Sequence, residues 1–100
     1  MVITILEARI EPDMAPALLA AYQNGLSHLP PQMHQTFLIQ SATDKAVWRI
    51  LSVWKSREAL DEMRSSRETP EGILMFRAAG AEEPQLSIFE VAAFAPDVSH

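Results

Sequence analysis

The chain has 100 residues, 48% of them hydrophobic, with 13 acidic side chains against 8 basic ones and a formal net charge of −5. That length suits one compact domain with a modest core and leaves no room for a second. Lys and Arg are scattered rather than clustered, which argues against a nucleic-acid surface, and the absence of cysteine rules out disulfides, thiolate nucleophiles and thiolate metal sites.

Residues 2–10 (VITILEARI) are rich in β-branched side chains, and Leu6, Ala8 and Ile10 alternate with Glu7 and Arg9, so a first strand is expected there. The early charges, with no basic leader or small-residue cleavage site, distinguish this run from a signal peptide. Glu11-Pro12-Asp13 breaks it. Asp13 is placed to cap a helix whose first turn holds Pro16, and Met14, Leu18, Ala21, Gly25 and Leu29 recur at helical spacing until Pro30-Pro31.

Residues 32–40 alternate again, with Met33, Phe37 and Ile39 expected on one face and His34, Thr36 and Leu38 on the other. A polar connection over residues 41–45 is of hairpin length, so residues 46–54 should return antiparallel as a third strand. Its parity puts Trp48, Ile50, Ser52 and Trp54 on one face and Val47, Arg49, Leu51 and Val53 on the other. Ser56 is a sound N-cap for a second helix with Ala59, Leu60 and Met63 inward, weakened by the polar run over residues 65–68. Thr69 and Pro70 read as a fresh N-cap and N1 pair. The third helix is then expected over residues 71–79, stopped by Gly80, with Ile73, Phe76 and Ala79 or Gly80 inward. Residues 86–92 form the expected fourth strand. Ala93 begins a short tail, and the single domain is taken to occupy residues 1–95 with 96–100 beyond it.

This order, strand-helix-strand-strand-helix-strand, implies an α+β ferredoxin-like βαββαβ fold with a four-stranded antiparallel sheet. A single helical layer leaves one apolar sheet face uncovered, and a second copy of the chain packed sheet to sheet, as a homodimer, is its simplest cover. No stretch approaches the roughly 18 to 20 apolar residues needed to span a bilayer. No membrane association is expected, and the cytoplasm is the expected location.

With this element order, the run Val53-Trp54-Lys55-Ser56-Arg57-Glu58-Ala59-Leu60 and the aliphatic last strand, the chain resembles the antibiotic biosynthesis monooxygenase family of the dimeric α/β-barrel superfamily. The resemblance covers nearly the whole chain. It implies a homodimer with a cavity in each subunit between helices and sheet. It also implies one of several activities, among them cofactor-free oxygenation of aromatic phenols, anthrones or quinols and degradation of heme. Fold membership says little about which. The heme-degrading branch resembles this chain only at Trp54: residues 2–10 contain no asparagine and residues 56–80 no histidine to serve as axial ligand, which argues against heme.

The expected function is therefore a cofactor-independent monooxygenase acting on a small aromatic phenol or quinol. The alternative is a noncatalytic ligand-binding or structural dimer of the same fold. Trp54 is either a cavity wall with an N–H to donate or a core aromatic, and Trp48 is expected to be structural. His34, the one histidine expected inside a strand, is the candidate general base, against a plain sheet-edge histidine. His28, at the end of the first helix, fits capping better.

Tyr22 and Asn24 could turn polar groups into a cavity or face water. Arg49, with Glu7 and Arg9, could bind an anionic substrate or form a surface ion-pair cluster. His28, His34 and His100 lack metal-ligand spacing, and no glycine-rich phosphate loop or G-x-S-x-G elbow occurs, so neither metal nor cofactor is expected.

Overall fold

The computed structural model describes residues 1–66 and 69–95. Four strands, β1 (Val2–Arg9), β2 (Met33–Gln40), β3 (Val47–Trp54) and β4 (Gln85–Glu90), form one antiparallel sheet in the order β2-β3-β1-β4. Three helices, α1 (Ala15–Gly25), α2 (Arg57–Ser65) and α3 (Glu71–Ala78), complete the ferredoxin-like α+β fold. No helix among the described residues is long and apolar enough to cross a membrane.

Strand register sorts the helix-facing side of the sheet into rows. Val2, Trp54 and Met33 share the first, and Thr4, Ser52 and Thr36 the second. Leu6, Ile50 and Leu38 form the third, followed by Ala8, Trp48 and Gln40. Two apolar clusters grow from these rows. Val2 and Trp54 join Leu60 of α2, with Met33, Met63 and Ile88 packed against them. Ile50, Trp48 and Ile10 join Leu18 of α1 and Met75, Phe76 and Ala79 of the α3 region. The hydroxyl row separates the two clusters.

Strand β2 departs from simple alternation. Met33 pairs with Trp54 and Gln35 with Val53, so His34 is an extra residue at a bulge. A bulge shifts the phase of everything on one side of it. Met33 consequently joins Thr36 and Leu38 on the helix side, whereas the alternation alone had placed it with Phe37 and Ile39.

Helix ends follow the sequence in part. Ser56 Oγ accepts from Ala59 N at 3.1 Å and caps α2. Asp13 makes no cap; it lies within a 3₁₀ turn, Pro12–Met14, that leads into α1. Thr69 does not cap α3 either, because Pro70 occupies the N-cap position and the helix begins at Glu71. Gly80 adopts φ +91°, a left-handed turn open to glycine at little cost.

Helices α1 and α3 pack closely where Gly25 meets Met75, since a Cβ on Gly25 would overlap the Met75 side chain. Met75 is therefore a core residue of α3 that periodicity centred on Ile73 does not reveal; Ile73 is only half-buried. The polar run expected to weaken α2 extends to Arg67 and Glu68, and the tail beyond residue 95 includes His100. These positions lie outside the described residues.

Candidate functional site

A cavity of about 330 Å³ opens between the helical layer and the sheet. It sits over the hydroxyl row, where the two apolar clusters part. Trp54, Leu6 and Ile50 line it from the sheet, Leu60 and Met63 from α2, and Ile73 and Met75 from α3. Small-molecule sites have this general character: a concave, mainly apolar space with a few placed polar groups.

Besides Ser66 and Thr69, the polar side chains of the lining fall into two sets. Thr4, Ser52 and Thr36 line the sheet side, and Thr4 and Ser52 are buried, at 7% and 6% exposure. Trp54 Nε1 donates to Thr4 Oγ1 at 2.9 Å. Ser52 Oγ donates to Thr36 Oγ1 at 3.5 Å, and Tyr22 OH donates to the same oxygen at 3.4 Å. The second set, His28, Arg64 and Glu71, contains the titratable lining residues, and His28 and Arg64 are exposed on the open side of the cavity. Chemically, the floor offers hydroxyl hydrogen bonds without charge, whereas proton transfer and anion pairing belong to the mouth.

The residues singled out by sequence are not all brought together. Trp54 is both a cavity wall and a core residue, only 3% exposed, and its N–H is engaged by Thr4 rather than open to a ligand. Tyr22 is half-buried behind the lining and reaches the cavity through its bond to Thr36. Asn24 borders a shallow groove between α1 and α3 that shares His28, Glu71 and Met75 with the cavity.

Arg49 lies on the opposite face of the sheet, where its Nε bonds Glu7 Oε1 at 2.6 Å, directly across the strand pair. Arg9 pairs instead with Asp44, at 2.9 Å, so the three charges do not form one cluster. His34 is exposed at the bulge and does not line the cavity. Among the described residues no group of three His, Asp or Glu side chains could hold a metal ion.

Sequence reasoning missed the hydroxyl row. Its signal was present at two positions: Ser52 interrupts the inward apolar parity of Trp48, Ile50 and Trp54, and Thr4 interrupts that of Val2 and Leu6. His28, expected at a helix end, does lie in the last turn of the helical segment that follows α1, and it lines the cavity as well. It bonds Ser27 Oγ through Nδ1 at 3.2 Å.

The model of the family described as antibiotic biosynthesis monooxygenase matches residues 1–73. Among solved structures, an antibiotic biosynthesis monooxygenase assigned in Deinococcus radiodurans superposes with a TM-score of 0.73 at 10% identity, covering 99% of this chain and 100% of that one. SnoaB, a cofactor-independent oxygenase from Streptomyces nogalater, superposes at 0.71 with 11% identity, over 96% and 97% of the two chains. Rv0793 from Mycobacterium tuberculosis gives 0.68 at 21% identity, over 95% and 98%. At these identities the likeness is one of fold. No curated protein matches the chain by sequence.

Proposed function

Because the chain belongs to the antibiotic biosynthesis monooxygenase family, we propose that it is a small cytoplasmic homodimer that oxygenates an aromatic phenol or quinol without a cofactor. The observation that carries this reading is the mainly apolar cavity beside Trp54, floored by the sheet and large enough for a fused-ring ligand. The likeness to SnoaB adds support at the level of fold.

In this reading the substrate, once deprotonated, supplies the electrons that O₂ takes up. At a ring methylene the balance is R₂CH₂ + O₂ → R₂C=O + H₂O, with one oxygen atom retained and the other released as water. The protein positions the ring against Trp54, excludes water and accepts the proton. His28 is the histidine that lines the cavity, and His34, at the bulge, is the second candidate for that proton. General-base catalysis of this kind contributes on the order of 10² to 10⁴ in rate.

The outer sheet face supports the homodimer. Ile5, Leu51 and Phe37 lie side by side in register across three strands, and Phe37, Ile39 and Phe89 are 45%, 42% and 54% exposed. A second copy laid sheet to sheet would bury them.

Oxygen uptake measured with a panel of hydroquinones and anthrones tests the oxygenase. Uptake is expected from the wild type, reduced by His28→Ala about 100-fold or more and little changed by His34→Ala; the opposite pattern would assign the proton to His34. Wild-type uptake no greater than that of buffer would remove the oxygenase reading. One observation favours the alternative, a ligand-binding module: the cavity floor holds hydroxyls but no acid or base. That reading expects binding of the same compounds without turnover.

A further inference from the structure

We propose that the row Thr36-Ser52-Thr4 is a specificity element, whose two end hydroxyls donate hydrogen bonds to separate acceptor oxygens of the bound ligand. A hydroxyl carries one proton and two lone pairs. Thr36 Oγ1 is the acceptor in two long contacts, from Tyr22 OH at 3.4 Å and from Ser52 Oγ at 3.5 Å, and its own proton is turned away from both. Thr4 Oγ1 accepts from Trp54 Nε1 and likewise retains a proton. No acceptor for either proton is found among the described residues, and both side chains line the cavity.

Folding accounts for the acceptor side of the row, since Thr4 Oγ1 meets the buried Trp54 N–H, but not for the two protons left over. The rows on either side, Val2-Trp54-Met33 and Leu6-Ile50-Leu38, are apolar, and valine has the shape of threonine. An unmet hydroxyl proton on the buried Thr4 or the half-buried Thr36 is a group that a ligand oxygen can satisfy. The donation that each end oxygen receives also polarises it and strengthens what it can give in turn. Tyr22 thus acts as a positioning residue, fixing Thr36 from behind the lining.

Spacing sets what the row reads. Adjacent strands lie about 4.8 Å apart, so Thr36 on β2 and Thr4 on β1, with β3 between them, are separated by roughly 10 Å of backbone. One oxygen atom cannot serve both. The row selects a rigid ligand with acceptor oxygens on opposite sides and discriminates against a hydrocarbon of the same shape.

This inference rests on the cavity's being a small-molecule site, but its test requires no turnover. Equilibrium dialysis compares 1,4-naphthoquinone with naphthalene; without cysteine, the chain offers the quinone no thiol to alkylate. The wild type is expected to prefer the dione. Thr36→Val should weaken dione binding about 2- to 10-fold, the effect of one neutral hydrogen bond, and leave naphthalene binding unchanged. Thr4→Val, read beside Thr4→Ser because it also leaves the buried Trp54 N–H without its acceptor, should show the same loss of preference for the dione.

A wild type with no preference for the dione overturns the proposal, as do valine variants that bind both probes like the wild type or lose both equally. Selectivity without oxygen uptake would remove the oxygenase and keep the row. Uptake from a wild type lacking this selectivity would do the reverse.

Discussion

Asp44 shows how a single side chain closes the β2–β3 hairpin. Its Oδ2 accepts from Arg9 Nη1 at 2.9 Å and its Oδ1 from Ala46 N at 3.2 Å. The hydrogen bond from Arg9, followed by that from Ala46, holds the carboxyl below the usual aspartate range. A group whose folded pKa is depressed stabilises the fold above its unfolded pKa, and that contribution is lost as pH falls through the folded value. The carboxyl carbon of Asp44, followed by NMR, should therefore titrate below a free aspartate, and Arg9→Ala should move its midpoint back up. An unshifted midpoint in the wild type would show that the pair does not persist in solution. Arg9 was readable from sequence as an exposed strand charge. Its partner was not, because Asp44 lies 35 positions away in a loop.

Helix α2 forms one wall of the cavity through Leu60, Met63 and Arg64, so its first turn matters to the site as well as to the fold. Ser56→Ala removes the acceptor for Ala59 N. The expected loss is about 1 kcal/mol, which for a domain of this size lowers Tm by roughly 4 to 8 °C in a thermal melt. An unchanged Tm would mean that α2 is held by its buried face, Ala59, Leu60 and Met63, rather than by the cap.

This helix was legible in the sequence because its cap and its apolar stripe are local signals. Strand β3 was legible for the same reason, its inward parity being carried by Trp48, Ile50 and Trp54. Strand β2 was misphased at Met33, since a bulge leaves no mark in a pattern of apolar and polar letters. The hydroxyl row was harder still. It assembles residues 4, 36 and 52 from three strands, and only the register of pairing brings them together. Sequence therefore pointed to Trp54 as a wall but could not identify the floor beside it.

At the scale of the whole molecule, the sheet has one face covered by helices and one left open, and the open face supports the sharpest test of assembly. Leu51 lies on β3 between Ile5 of β1 and Phe37 of β2, near the middle of that face. In an isolated subunit Leu51 is half-buried and its side of the sheet meets water, so a lysine there can lift its ammonium clear of the apolar surface. In a sheet-to-sheet dimer the same ammonium would be enclosed without a partner, at a cost of about 3 to 5 kcal/mol for an uncompensated buried charge.

Since a two-fold dimer would enclose one such lysine from each subunit, Leu51→Lys is expected to weaken dimerisation by at least about two to four powers of ten. Sedimentation velocity at micromolar concentration should show a dimeric wild type and a monomeric variant with the same far-UV circular dichroism. A monomeric wild type would remove the second copy from the account, and a Leu51→Lys dimer would place the contact on another face. Because the cavity lies on the opposite side of the sheet, lined by residues of this chain's own helices and strands, the monomeric variant should still prefer 1,4-naphthoquinone to naphthalene. That preference would separate what the site needs from what the assembly needs.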